Sequence, residues 1–96
     1  MTPALQMRDL CSHLGIPFHL QCSGGCNITQ AAILHLAHAS APQRLLYIWD
    51  IGDLTSFNTV SNPMPRKDGK MHAHDLPGLG VDPIESVLGD PVAVYF

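Results

Sequence analysis

Apolar positions recur along the first half of the chain with two different periods. Ala4, Met7, Cys11 and Leu14, with Leu10 beside them, follow helical spacing. Thr2 reads as the N-cap of that helix and Pro3 as its first residue, where a missing N–H costs nothing. Gly15 follows as a left-handed C-cap. Over Ile16 to Gln21 the period shortens to two, with Ile16, Phe18 and Leu20 alternating with Pro17, His19 and Gln21. This predicts a strand with Pro17 among its first residues. "CSGGCN" is a turn, and Asn27 with Gln30 forms a capping box for a second helix from Ile28 to about Ser40. That helix carries Ala31, Ala32, Ile33, Leu34, Leu36, Ala37 and Ala39, so it should pack on more than one side. Ala41-Pro42 ends it. "RLLYIWDI" then reads as a strand buried on both faces. The order α-β-α-β predicts an α/β fold with parallel strands joined by a right-handed crossover.

Past Gly52 the periodicity fades into a turn-rich stretch. Asp68-Gly69 is a hairpin signal between "NPMPR" and "KMHAH". "ESVLGDPVAVYF" offers one short helical turn and then a short apolar strand. Between them lies "HDLPGLGVDP", whose glycines and prolines interrupt any regular element while Leu76, Leu79 and Val81 keep it apolar. It reads as a stiff turn packed on something larger. The chain accordingly divides into 1–52 and 53–96.

Composition narrows the function classes. With 46% hydrophobic and 14% charged residues the chain is a folding one, not a disordered one. Five basic residues against eight acidic ones leave no patch for nucleic acid. No apolar run approaches the roughly 20 residues of a membrane span, and no signal peptide is recognisable at Met1. Three cysteines, an odd number, fit reduced thiols in a cytoplasmic protein. The apolar fraction is high for a domain of 96 residues, which suggests surface meant to face something further.

The run Asp68-Gly69, Lys70 to His74, and Pro77-Gly78-Leu79-Gly80-Val81-Asp82 resembles the C-terminal tail of enolase-superfamily enzymes of the mandelate racemase/muconate lactonizing group. Upstream, "TPALQMRDLCSHLGIPFHLQ" resembles their sixth barrel helix leading into strand seven. "NITQAAILHLAHAS" is similar to the seventh helix and "RLLYIWD" to strand eight, so the resemblance spans essentially the whole chain. It implies a partial TIM-type (β/α) barrel, helix 6 to strand 8, over 1–52. The return segment 53–96 would pack on the capping domain of full-length relatives. A barrel takes about 250 residues, so this chain would supply less than its last quarter. The resemblance also implies Mg2+, held by carboxylates on three central strands, and catalytic lysines, all upstream of Met1; no metal ligand is expected in this chain.

The implied chemistry is proton abstraction alpha to a carboxylate, with the metal stabilising an enediolate, in a racemase, epimerase, dehydratase or cycloisomerase. "CSGGCNI" and "VLGDPVAVY" resemble members acting on amino-acid-like acids such as hydroxyproline derivatives, so the expected partner is a small carboxylate. By barrel logic the candidate residues sit at strand C-termini and in the loops that follow. After strand seven these are His19, Gln21, Cys22, Ser23 and Gly24. Gln21 falls where racemase-like members carry a catalytic histidine. It cannot act as a base but can hydrogen-bond a substrate oxygen, which favours the lysine-based relatives. His19 shares its strand face, either as a catalytic group at the mouth or as a hydrogen-bonded interior histidine. Cys22, Ser23 and Gly24 precede a helix N-terminus that either holds a substrate carboxylate or simply turns tightly. Asp50, ending strand eight beside Trp49, either contacts substrate or caps a loop.

The cysteines and histidines also invite two metal readings. The Cys26-to-His35 gap is too short for a zinc finger that also uses Cys22 and His38. His72 and His74, on one face of a short strand, are either a metal pair or solvated histidines. The chain alone is expected to be inactive. The competing reading is a non-catalytic half-barrel that self-associates or pairs with a chain carrying the missing strands.

Overall fold

The computed structural model describes residues 1–24 and 26–95. Gly25 of the "CSGGCN" turn and Phe96 of the terminal run lie outside them. Helix α1 spans Thr2–Leu14 and strand β1 Phe18–Gln21. Helix α2 spans Asn27–His38 and strand β2 Leu45–Trp49. β1 and β2 pair in parallel, with Phe18 opposite Leu45 and Gln21 opposite Trp49, as two strands flanking a helix require. Together they form a two-stranded sheet, and among the described residues no closed barrel exists.

Local chemistry explains the element ends; β1 begins only at Phe18, past Pro17, which has no N–H for the ladder, and three further departures from expectation stand out. α1 starts one residue early, because the Met1 carbonyl accepts the Leu5 N–H and Thr2 falls inside the first turn. Its end is as predicted: Gly15 adopts φ 72° and lets the Ile16 N–H reach back to the Cys11 carbonyl. The second departure is at α2, where Cys26, not Asn27, is the N-cap. Asn27 and Gln30 form no capping box, because both side chains are drawn into long-range bonds. Asn27 Oδ1 accepts the Thr59 N–H at 2.8 Å, and Gln30 Nε2 donates to Asp50.

The third departure is at the C-terminus. The helical turn exists as α3, Glu85–Leu88, but the apolar run after it forms no strand among the described residues, and Val92 and Tyr95 stand exposed. An apolar sequence becomes a strand only where a neighbouring edge takes up its backbone N–H and C=O groups. The hairpin does form, as β3, Arg66–Lys67, against β4, Lys70–Met71. Asp68 and Gly69 both have positive φ, 51° and 71°, the turn that matches strand twist in a two-residue loop.

One core crosses position 52. Ala31, Leu34 and Met64 are buried, and Ile48, Met71, Ala73, Leu79 and Val81 pack around them. The "HDLPGLGVDP" turn therefore docks on α2 of its own chain. His35 Nε2 lies 3.1 Å from the Leu79 carbonyl, and His74 Nε2 3.0 Å from the Asn62 carbonyl. Asn62 ties the other side, donating to the Gly80 carbonyl and accepting the Asp82 N–H at 2.7 Å. Gly80 is needed here: at φ +71°, a Cβ would stand 3.0 Å from that of His74. By contrast α1 buries no residue, and Met7, Leu10 and Leu14 of its apolar stripe are more than half exposed.

Candidate functional site

Strand alternation divides the expected residues between two faces of the β1–β2 sheet. Phe18 and Leu20 turn toward the helix side and are half-buried, whereas His19 and Gln21 are exposed on the other. On that open face the His19 ring stacks on Tyr47, with centroids 5.0 Å apart and planes 11° from parallel. Trp49, paired with Gln21, is 55% exposed. The result is an open shelf of one imidazole, one amide and two large aromatic side chains, rising toward the strand C-terminal ends.

The loop after β1 splits in the same way. Cys22 is buried, and its N–H donates to the Trp49 carbonyl at 3.1 Å, extending the parallel ladder by one bond. Ser23 and Gly24 are exposed beyond it. The structure thus groups His19 with Gln21 on the shelf and Ser23 with Gly24 at its end, while Cys22 packs behind them.

Asp50 ends β2 with its carboxylate already engaged. It accepts hydrogen bonds from Gln30 Nε2 of α2, from an Arg66 guanidinium nitrogen of β3 at 2.6 Å and from the Gly52 N–H at 2.8 Å. Its side chain is only 9% exposed. A charge so buried needs such partners, and Gly52 is tight against it: a Cβ there would lie 3.1 Å from Asp50 Oδ1. The carboxylate joins three elements separated by up to 36 residues of chain, Gln30 to Arg66. Gln30 and Arg66 carry no local signal for this role. Only the fold brings them together.

At the start of α2 the Cys26 thiol is held below its ordinary value. The largest cause is a hydrogen bond with the Thr59 side chain; burial opposes it, and the Thr29 and Ile28 N–H groups add to it. The exposed amides of a helix N-terminus favour negative charge in this way. A groove of about 730 Å³ runs along the edge of β2 not paired with β1, lined by Leu34, Leu46, Ile48, Arg66, Met71 and His72 among others.

No group of three or more His, Cys, Asp or Glu side chains able to hold a metal ion occurs among the described residues. Asp50 is engaged by an ion pair and two further hydrogen bonds and is largely buried, and no other carboxylate, His or Cys groups with it into a metal site among the described residues. The described residues do not make a magnesium site. No helix among the described residues is long and apolar enough to cross a membrane.

The chain is 41% identical, over 98 aligned residues, to the cis-3-hydroxy-L-proline dehydratase of Roseibium aggregatum, covering 99% of this chain and 26% of that enzyme. A Roseovarius nubinhibens structure described as a mandelate racemase/muconate lactonizing enzyme, in complex with magnesium, superposes with TM-score 0.90 at 32% identity. It covers 97% of this chain and 26% of the other. A protein of the same description from Aspergillus oryzae gives 0.89 at 34%, over 98% of this chain and 26% of its own. The chain thus spans about a quarter of the length of these relatives, and magnesium is a ligand within the family, though no set of ligands for it assembles among the described residues. The enolase C-terminal domain-like model matches residues 1–87, and with the parallel β1–α2–β2 unit and the return segment docked on α2, the chain belongs to the enolase C-terminal domain-like family.

Proposed function

We propose that this chain is the C-terminal quarter of an enolase-superfamily lyase that removes water from a small, amino-acid-like hydroxy acid. The observation that carries this reading is the 41% identity to cis-3-hydroxy-L-proline dehydratase across 99% of the chain. In such a reaction a 3-hydroxy acid loses its α-hydrogen as a proton and its hydroxyl as water, leaving a carbon–carbon double bond. Residues 1–52 act as the helix 6 to strand 8 part of a (β/α) barrel and 53–96 as the segment returning over it. The exposed α1 stripe and the sheet with both edges unpaired among the described residues support that assignment.

His19 and Gln21 face the substrate from the shelf, His19 as a proton carrier braced by Tyr47 and Gln21 as a hydrogen-bond donor to the substrate. Ser23 and Gly24 border the carboxylate, and Cys22 supports them from behind. Asp50 serves as a positioning residue, since its carboxylate is taken up by Gln30, Arg66 and Gly52. Magnesium belongs to the rest of the protein. Three free cysteines fit a cytoplasmic home.

A chimera tests the reading. These 96 residues replace the matching C-terminal quarter of the Roseibium aggregatum enzyme, and conversion of cis-3-hydroxy-L-proline is followed. We expect turnover by the chimera and none by the chain alone. A folded but inactive chimera would sink the substrate assignment, and turnover by the chain alone would sink the incomplete site. A second reading, a non-catalytic piece that self-associates through its open face, is favoured by exposed Tyr47 and Trp49. A monomer in size-exclusion chromatography at high concentration excludes it.

A further inference from the structure

Four histidines lie on α2 and on the segment that returns over it, and they divide into two kinds. His35 and His74 are held through Nε2 by the carbonyls of Leu79 and Asn62. His38 and His72 instead meet each other, with ring centroids 5.7 Å apart and planes at 80°. Both are exposed, and among the described residues no hydrogen bond holds either ring. His38 is the last residue of α2, and His72 directly follows β4.

α2 runs back between two parallel strands, so its last turn lies toward the strand starts. The groove that His72 lines runs the length of β2, from Leu46 to Asp50, and the contact with His38 puts His72 beside that last turn. Asp50, Ser23 and Gly24 belong to the opposite end.

We propose that His38 and His72 form a two-imidazole site for a borderline transition-metal dication, Zn2+ or Ni2+, which clips the return segment to α2 away from the strand C-termini. Neutral imidazole is the commonest protein ligand for such ions. With metal–nitrogen bonds of about 2.0–2.1 Å the ion stands roughly 3.2 Å from each ring centre, so two rings on one tetrahedral ion are roughly 5.2 Å apart. The observed 5.7 Å is within about half an ångström of that spacing. The edge-to-face pose presents one ring's edge to the other ring's face, so an imidazole must turn about its soft terminal torsion for both to aim a nitrogen at one ion. Both rings are exposed, so that turn disturbs no packing. No third protein ligand joins them among the described residues, and water completes the shell.

The test is calorimetric titration of the reduced 96-residue chain with Ni2+ and Zn2+, using His38→Gln, His72→Gln, His19→Gln and Cys26→Ser. We expect one Ni2+ per chain, weakened about tenfold or more by either His38→Gln or His72→Gln and unchanged in His19→Gln and Cys26→Ser. Affinity within twofold of wild type in both His38→Gln and His72→Gln would overturn the site. So would binding lost only in Cys26→Ser, which would assign the ion to a thiolate. Imidazole NMR of the wild-type chain avoids any folding defect in the variants. The His38 and His72 ring signals must respond together at substoichiometric Ni2+, and their failure to do so overturns the proposal independently.

Discussion

The two faces of the β1–β2 sheet differ in a way that locates this chain's unfinished business. On the helix side Leu34 and Ala31 are buried against Met64, and residues as distant as Val81 complete the cover. On the other side His19, Tyr47, Gln21 and Trp49 stand open, although Tyr47 and Trp49 carry large apolar rings. Hydrophobic burial stabilises a fold only where a covering surface exists. One face therefore carries the stability of the chain, and the other, left open, is the one on which the proposed chemistry rests.

The largest expected effect is the contrast between a substitution on each face. Leu34→Ala removes a side chain that is only 2% exposed and should cost about 2–5 kcal/mol. Trp49→Ala should stay within about 0.5 kcal/mol. Urea unfolding of dilute protein measures both. Similar losses in the two variants would mean that the open face is covered in solution and would break the comparison.

Next in size is Asp50→Asn, at the point where the two faces meet the hairpin. The amide keeps an acceptor for the Gly52 N–H but turns its NH2 group on both Gln30 and Arg66, which donate to the same oxygen, Oδ2. We expect a loss of about 1–3 kcal/mol, with earlier proteolysis around 66–71. If Asp50→Asn melts with wild type, Asp50 does not anchor the hairpin, and its carboxylate is free for other work.

The smallest effect concerns Cys26, at the seam between α2 and Thr59. A thiol whose folded value lies below its unfolded one binds fewer protons when folded. Stability should then rise with pH between that lowered value and about 8.5, and the contribution is lost as pH falls through the lowered value. Cys26→Ser should flatten that slope in urea midpoints taken from pH 6 to 9. Cys26 should also alkylate faster than buried Cys22 at neutral pH. An unchanged slope together with equal alkylation rates would remove the thiolate.

Much of the fold was readable because its causes are local. The helical spacing before Gly15, the alternation around Phe18 and Leu20, and Asp68-Gly69 each act within a few residues, and each formed its element. The site was only half readable for the same reason. Strand alternation put His19 and Gln21 on one face, but it carried no sign that Asp50 would be occupied by Gln30 and Arg66. The same limit explains the missing capping box: Asn27 and Gln30 have the right local chemistry, but Thr59 and Asp50 outcompete it.

The turn "HDLPGLGVDP" shows where the division lies. Its glycines, prolines and apolar residues determined by themselves that it would be a stiff bend with a face to bury. That the face would be buried on Leu34 and Ala31, with His35 on the Leu79 carbonyl and His74 on that of Asn62, was decided only by the tertiary structure. Backbone preferences act between neighbours in sequence. A hydrogen bond or a buried contact across 44 residues, as between His35 and Leu79, exists only once packing has brought both partners to the same place.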